Sequence, residues 1–213
     1  MNTDQLIESL AADLAPVPRN AVSHRIGLGI ALGAVGTVAL VAFWLGFNPD
    51  LHDAVTRYPF WMKWFYTLSL AVCAVAATAR LARPDGGALD WLWLMAIPVL
   101  SLAAISIFEM SRVPSAQWLA MWLGESWKVC SSLVFRLSLP IFGGLMWSFR
   151  GMAPTRLRAA GATAGLTAGA WAAMLYCLHC PEVSAIFVLS WYTLGIAMAA
   201  LAGAIIGPRL MRW

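Results

Sequence analysis

The chain has 213 residues, of which 61% are hydrophobic and 11% charged, and its mean hydropathy is +0.75. A soluble domain carries about 25% charged residues, so this composition excludes an ordinary water-soluble fold. The net charge of +4 does not mark a nucleic-acid surface, because the arginines stand between apolar runs instead of forming a basic stripe.

Residues 1–25 are polar or mildly amphipathic, with Asp4, Glu8 and Asp13 ahead of the first apolar run, so no cleavable signal is predicted. Leu6, Ile7, Leu10 and Leu14 recur at helical spacing, with the acidic residues elsewhere on the wheel. Pro16 and Pro18 suit the end of such a helix. Helices below about 12–15 residues are marginal alone in water, and interfacial membrane anchors carry a basic polar face where this one is acidic. The segment is therefore predicted to fold on a protein partner that offers an apolar groove rimmed by Lys and Arg, with the lipid surface as the alternative.

Beyond residue 25 the apolar runs are each close to the 20 residues or so that a membrane-spanning helix needs. Six spans are predicted, at about 26–46, 61–79, 91–108, 131–148, 159–177 and 183–206. The fold class that follows is all-α, a polytopic transmembrane bundle over residues 26–213 preceded by a short cytoplasmic amphipathic helix. Arg19, Arg25, Arg80, Arg83, Arg150, Arg156, Arg158, Arg209 and Arg212 fall on one side, against Arg57, Lys63, Arg112 and Lys128 on the other. The richer side is read as cytoplasmic and holds both termini. Lys63, within an aromatic cluster, is expected to snorkel to the outer interface. Gly161, Gly165 and Gly169, and likewise Gly195, Ala199, Gly203 and Gly207, recur every four residues and predict close intramolecular helix packing.

Chemistry is confined to few residues. Of the four cysteines, Cys73 lies deep in the second span and reads as a core residue. Cys130 opens the fourth span and Cys180 lies in the tight outer turn between the fifth and sixth, so both face an oxidising compartment. They suit a reversible thiol or metal sensor, a structural disulfide, or inert thiols. Cys177 and Cys180 form a C-x-x-C spacing, and His179 and Glu182 lie beside it. Cys130, His179 and Cys180 are the candidate metal ligands, the thiolate and imidazole types that suit soft or borderline ions. Trp118, Trp122 and Trp127 read as interfacial anchors. Arg136, a charge inside the fourth span, requires a partner, and Glu109 or Glu182 is the expected one.

The opening Leu6-Ile7-Glu8-Ser9-Leu10-Ala11-Ala12-Asp13-Leu14-Ala15-Pro16-Val17, Cys130, His179-Cys180-Pro181-Glu182, Phe187-Val188 and Trp191-Tyr192, in this order on a six-span plan, resemble the NrsF family of bacterial inner-membrane anti-sigma factors. The resemblance covers nearly the whole chain. It implies a protein without enzymatic activity or cofactor that holds an extracytoplasmic-function (ECF) sigma factor through its cytoplasmic N-terminus. Leu6, Ile7, Leu10, Leu14 and Asp13 would form the contact, with no direct contact to nucleic acid. It further implies release of the sigma factor under heavy-metal or oxidative stress, with Cys130 and Cys180 as the family's paired periplasmic cysteines; Cys177 has no clear counterpart. The rival reading is a membrane thiol–disulfide oxidoreductase built on Cys177 and Cys180.

Overall fold

The computed structural model describes residues 2–12, 18, 20–83 and 90–211, and every regular element among them is helical. This follows from the apolar composition: where no water reaches the backbone, a helix satisfies each N–H and C=O within the segment. In chain order the α-helices of six residues or more are α1 (Thr3–Ala12), α2 (Ala21–Leu40, continued by a π-helical turn Val41–Leu45), α3 (Tyr58–Leu81), α4 (Ala96–Ser111), α5 (Trp118–Leu123), α6 (Trp127–Phe149), α7 (Leu157–Tyr176) and α8 (Thr193–Leu210). A helical turn Ala185–Phe187 and a second π-helical turn Val188–Tyr192 lead into α8.

Five helical segments are long and apolar enough to cross a membrane: Ala21–Leu45, Tyr58–Leu81, Trp93–Ser111, Ser115–Phe149 and Ala185–Leu210. Helix α7 has 20 residues and is not among them, because Gly, Ala and Thr fill it. Its place in the bundle explains that composition. It packs against α8, α3 and α6, and most of its residues are buried.

Small residues are what permit that packing. A Cβ at Gly161 of α7 would collide with the Gly203 carbonyl of α8, and one at Gly203 with the Gly161 carbonyl. The predicted glycine stripes thus face each other within one chain. Gly29 and Gly144 meet in the same way where α2 lies on α6. Helices this close also share hydrogen bonds, between the Thr78 and Thr167 hydroxyls at 2.9 Å, between the Tyr66 and Thr193 hydroxyls at 2.6 Å and from Thr37 Oγ1 to the Leu137 carbonyl at 2.9 Å. Such interhelical bonds contribute about 0.6–2 kcal/mol each. Helix α4 is the least buried of the five apolar segments.

Helix α1 exposes Leu6 and Ile7. Asp13 and Leu14 lie outside the described residues, as do the side chain of Leu10 and the turn at residues 84–87.

Candidate functional site

Cys130 stands one turn into α6, where its amide bonds the carbonyl of the N-cap Ser126. Cys180 follows the end of α7: the His179 and Cys180 amides both close onto the Tyr176 carbonyl at 3.0 Å, and Pro181 stops the helix from continuing. These elements bring the two thiols together. Both residues are buried, at 0% and 1% exposure, and their thiols are close enough to alter each other's ionisation. All four cysteines are thiols, none joined in a disulfide. The Tyr176 and Tyr192 rings, 5.6 Å apart, wall the pair. Tyr176 stands beside Cys130, and Tyr192 beside Cys180 and Cys177, with the Tyr192 hydroxyl buried and without a hydrogen-bond partner among the described residues. The π-helical turn Val188–Tyr192 presents Tyr192 there, and such turns recur at functional sites.

The Cys180 thiol is held below its usual ionisation range, first by the Cys130 thiol beside it and then by the Lys63 ammonium, against the opposing effect of burial. Lys63 does not snorkel. It is 3% exposed, and its Nζ donates to the carbonyls of Cys180 at 2.9 Å and Glu182 at 2.8 Å. Two carbonyls of one turn converge on it, and a buried ammonium stays where such acceptors replace its water.

The segment after α7 is tied to most of its surroundings. Glu182 Oε1 accepts from the Glu125 amide at 2.8 Å and from the Ser126 amide and hydroxyl at 2.9 and 2.8 Å. Glu109 Oε2 accepts from the Ala185 amide at 2.8 Å. Both carboxylates therefore serve helix N-termini, where negative charge is favourable. Neither is the expected partner of Arg136, which lies exposed on α6. His179 Nδ1 donates to the Gly46 carbonyl at 2.8 Å, and the Asn48 amide bonds the Leu178 carbonyl at 3.0 Å.

Those bonds fix the positions of His179, through one ring nitrogen, and Glu182, through one carboxylate oxygen. Among the described residues no group of three or more His, Cys, Asp and Glu is arranged to hold a metal ion. Cys177 Sγ bonds the Ala173 carbonyl of its own helix at 3.3 Å. The tryptophans do more than anchor. Trp191 lies 5.6 Å from both Trp122 and Trp127, Trp122 Nε1 donates to Ser190 Oγ at 3.0 Å, and Trp191 Nε1 donates to the Trp122 carbonyl at 2.8 Å.

A cavity of about 330 Å³, bordered by Asn48, Asp53, Arg57, Lys63, Cys177 and Cys180, adjoins the site. Sequence reasoning passed over Tyr176, read Lys63 as an interfacial residue and gave Tyr192 no role in the site. A lysine this far into an apolar run and the Trp191-Tyr192 pair were the available signals.

A family model described as NrsF, Negative regulator of sigma F, matches residues 10–213. The probable anti-sigma-F factor NrsF of Azospira oryzae is 37% identical over 214 residues, and the anti-sigma-F factor NrsF of Caulobacter vibrioides is 39% identical over 215 residues. Each alignment covers 100% of both chains. No solved structure matches the chain. With a family match over nearly its whole length and two full-length relatives, this all-helical chain belongs to the NrsF family, negative regulators of sigma F that act as regulators and not as enzymes.

Proposed function

We propose that the chain holds an ECF-type sigma factor at the bacterial inner membrane and releases it when Cys130 and Cys180 react with an oxidant or a heavy-metal ion. The observation that carries the sensor half is the buried thiol pair itself. Two cysteines 50 positions apart, one on α6 and one in the turn after α7, act on each other's ionisation, and Cys180 borders a cavity. A dithiol of this kind closes to a disulfide or takes up a soft ion through two sulfurs, with no need of His179. Because the family is regulatory, the oxidoreductase reading is set aside.

Helix α1 is the proposed sigma-binding element. Its exposed Leu6 and Ile7 offer the apolar stripe that Leu10 and Leu14 would extend, with Asp13 at its edge, and the groove on the sigma factor would be lost to RNA polymerase. Six crossings are proposed, counting α7 as a span whose Gly, Ala and Thr residues are shielded from lipid by its neighbours. An even number of spans, with the arginine-rich loops inside, supports cytoplasmic termini and outward-facing thiols. Input and output then lie on opposite sides. A tenfold release needs a difference of about 1.4 kcal/mol in sigma affinity between the two thiol states.

The test is co-purification of the sigma factor with the full chain and with a Leu10→Asp, Leu14→Asp variant. The intact chain retains the factor and the variant loses it; failure of both to retain it overturns the reading. Cys130→Ser and Cys180→Ser each keep the sigma factor bound but abolish its release by oxidised glutathione or cadmium.

A further inference from the structure

We infer that Lys63 is the residue through which the state of the thiol pair reaches the second membrane-crossing helix, its side chain acting as a latch between α3 and the Cys180 turn. The inference rests on the dithiol reading above and adds a route to it. Lys63 lies in the second turn of α3, and both of its hydrogen bonds go to carbonyls of the turn that carries Cys180, one of them Cys180's own. The Glu182 carboxylate is committed elsewhere, to Glu125 and Ser126, so the backbone of the turn is what holds the ammonium. The same helix grips two others below this point, α8 through Tyr66 and Thr193 and α7 through Thr78 and Thr167. A displacement at Lys63 is thus delivered to a helix bonded to its neighbours further along the bundle.

Oxidation supplies such a displacement. Cys180 Sγ attacks one sulfur of a small disulfide and expels a thiolate; Cys130 Sγ then attacks the Cys180 sulfur of the mixed disulfide and expels the second. Two protein S–H bonds are lost and one S–S bond forms. The small disulfide is reduced to two thiols, which carry away the two electrons and the two protons. Bonded sulfurs stand about 2 Å apart, well inside any contact between unbonded thiols, so the Cys180 backbone shifts relative to α3. Hydrogen bonds of 2.8 and 2.9 Å do not stretch far before they are lost. The adjoining cavity, which Lys63 borders, gives the lysine room to swing clear.

The experiment compares the sigma affinity of the full-length chain in its dithiol and disulfide forms, set with reduced and oxidised glutathione, for wild type, Lys63→Met and Lys63→Arg. The wild type binds at least tenfold more weakly when oxidised. Lys63→Met still forms the Cys130–Cys180 disulfide and binds, but with one affinity in both states, whereas Lys63→Arg, which can still donate to both carbonyls, keeps the difference. Because coupling is reciprocal, a tenfold difference also moves the reduction potential of the pair by about 30 mV when the sigma factor is bound; in Lys63→Met that shift vanishes. Wild-type redox dependence in Lys63→Met overturns the latch while leaving the dithiol reading intact. No difference between the two wild-type states overturns the dithiol reading itself. If Lys63→Met does not fold, backbone amide exchange of wild-type α3 decides. Oxidation changes protection around Lys63 if the latch operates, and unchanged protection refutes it.

Discussion

Glu182 Oε1 accepts hydrogen bonds from both the amide and the hydroxyl of Ser126, at 2.9 and 2.8 Å, and so fastens the turn that carries Cys180 to the N-terminus of the helix that carries Cys130. A third bond from the Glu125 amide at 2.8 Å completes the cap. Glu182→Ala is expected to lower stability by about 1.5–3 kcal/mol, the range for hydrogen bonds to a charged group. Glu182→Gln, which keeps an acceptor, loses less. Thermal unfolding in detergent measures this. The rate of Cys130–Cys180 disulfide formation in a glutathione buffer is the second readout, since thiols no longer held in register close more slowly. An unchanged rate in the Ala variant would show that the cap does not position the pair.

The glycine contacts between α7 and α8 permit a comparison within one protein. At Gly203 any Cβ meets the Gly161 carbonyl, whereas a Cβ at Gly27 would meet nothing beyond its own stretch of helix within 4 Å. Gly203→Val is expected to destabilise the bundle by about 1–3 kcal/mol or more, the cost of overpacking. Gly27→Ala is expected to be neutral or stabilising by up to about 1 kcal/mol, the difference in helix propensity. Equal unfolding midpoints for the two variants would mean that the close approach contributes nothing.

The helices were legible in the sequence because a lipid environment demands long uninterrupted apolar runs. Their ends were not, since helices extend into polar flanks: α2 begins at Ala21 and α3 at Tyr58, ahead of the hydropathy boundaries at 26 and 61. The placement of Cys130 and Cys180 at ends of neighbouring helices was readable, but their proximity was not, because nothing local in either segment records the rotation of its helix. Lys63 was misjudged for the same reason. A snorkelling lysine and an inward one have identical neighbours in sequence, and only the carbonyls of Cys180 and Glu182, more than a hundred residues away, distinguish them. Arg136 was assigned a carboxylate partner on charge alone. The two candidates had backbone amides to satisfy at Ser126 and Ala185, a demand visible only once those helix ends are placed.

Cys177 separates a two-thiol site from a C-x-x-C site. Its sulfur bonds the Ala173 carbonyl, and its side chain is buried. Cys177→Ala is therefore expected to keep both sigma binding and stress-induced release, while Cys130→Ser and Cys180→Ser lose release. A reporter driven by the sigma factor, read with and without an oxidant, makes the comparison in cells. Loss of induction in Cys177→Ala would place the third thiol in the mechanism.

Helix α1 tests the output side. Leu6 and Ile7 are exposed in a ten-residue helix too short to hold itself in water, so its order in the complex would come from what those side chains bury. Fully burying an aliphatic side chain of this size is worth about 1.5–3 kcal/mol. Leu6→Asp and Ile7→Asp, which also add a charge to be desolvated, are each expected to weaken sigma binding at least tenfold. The conservative Ile7→Val change should cost less than tenfold. Titration of the purified full-length chain with labelled sigma factor gives the affinities. Unchanged binding in both Asp variants would move the recognition surface from α1 to the arginine-bearing loops, such as that holding Arg150, Arg156 and Arg158.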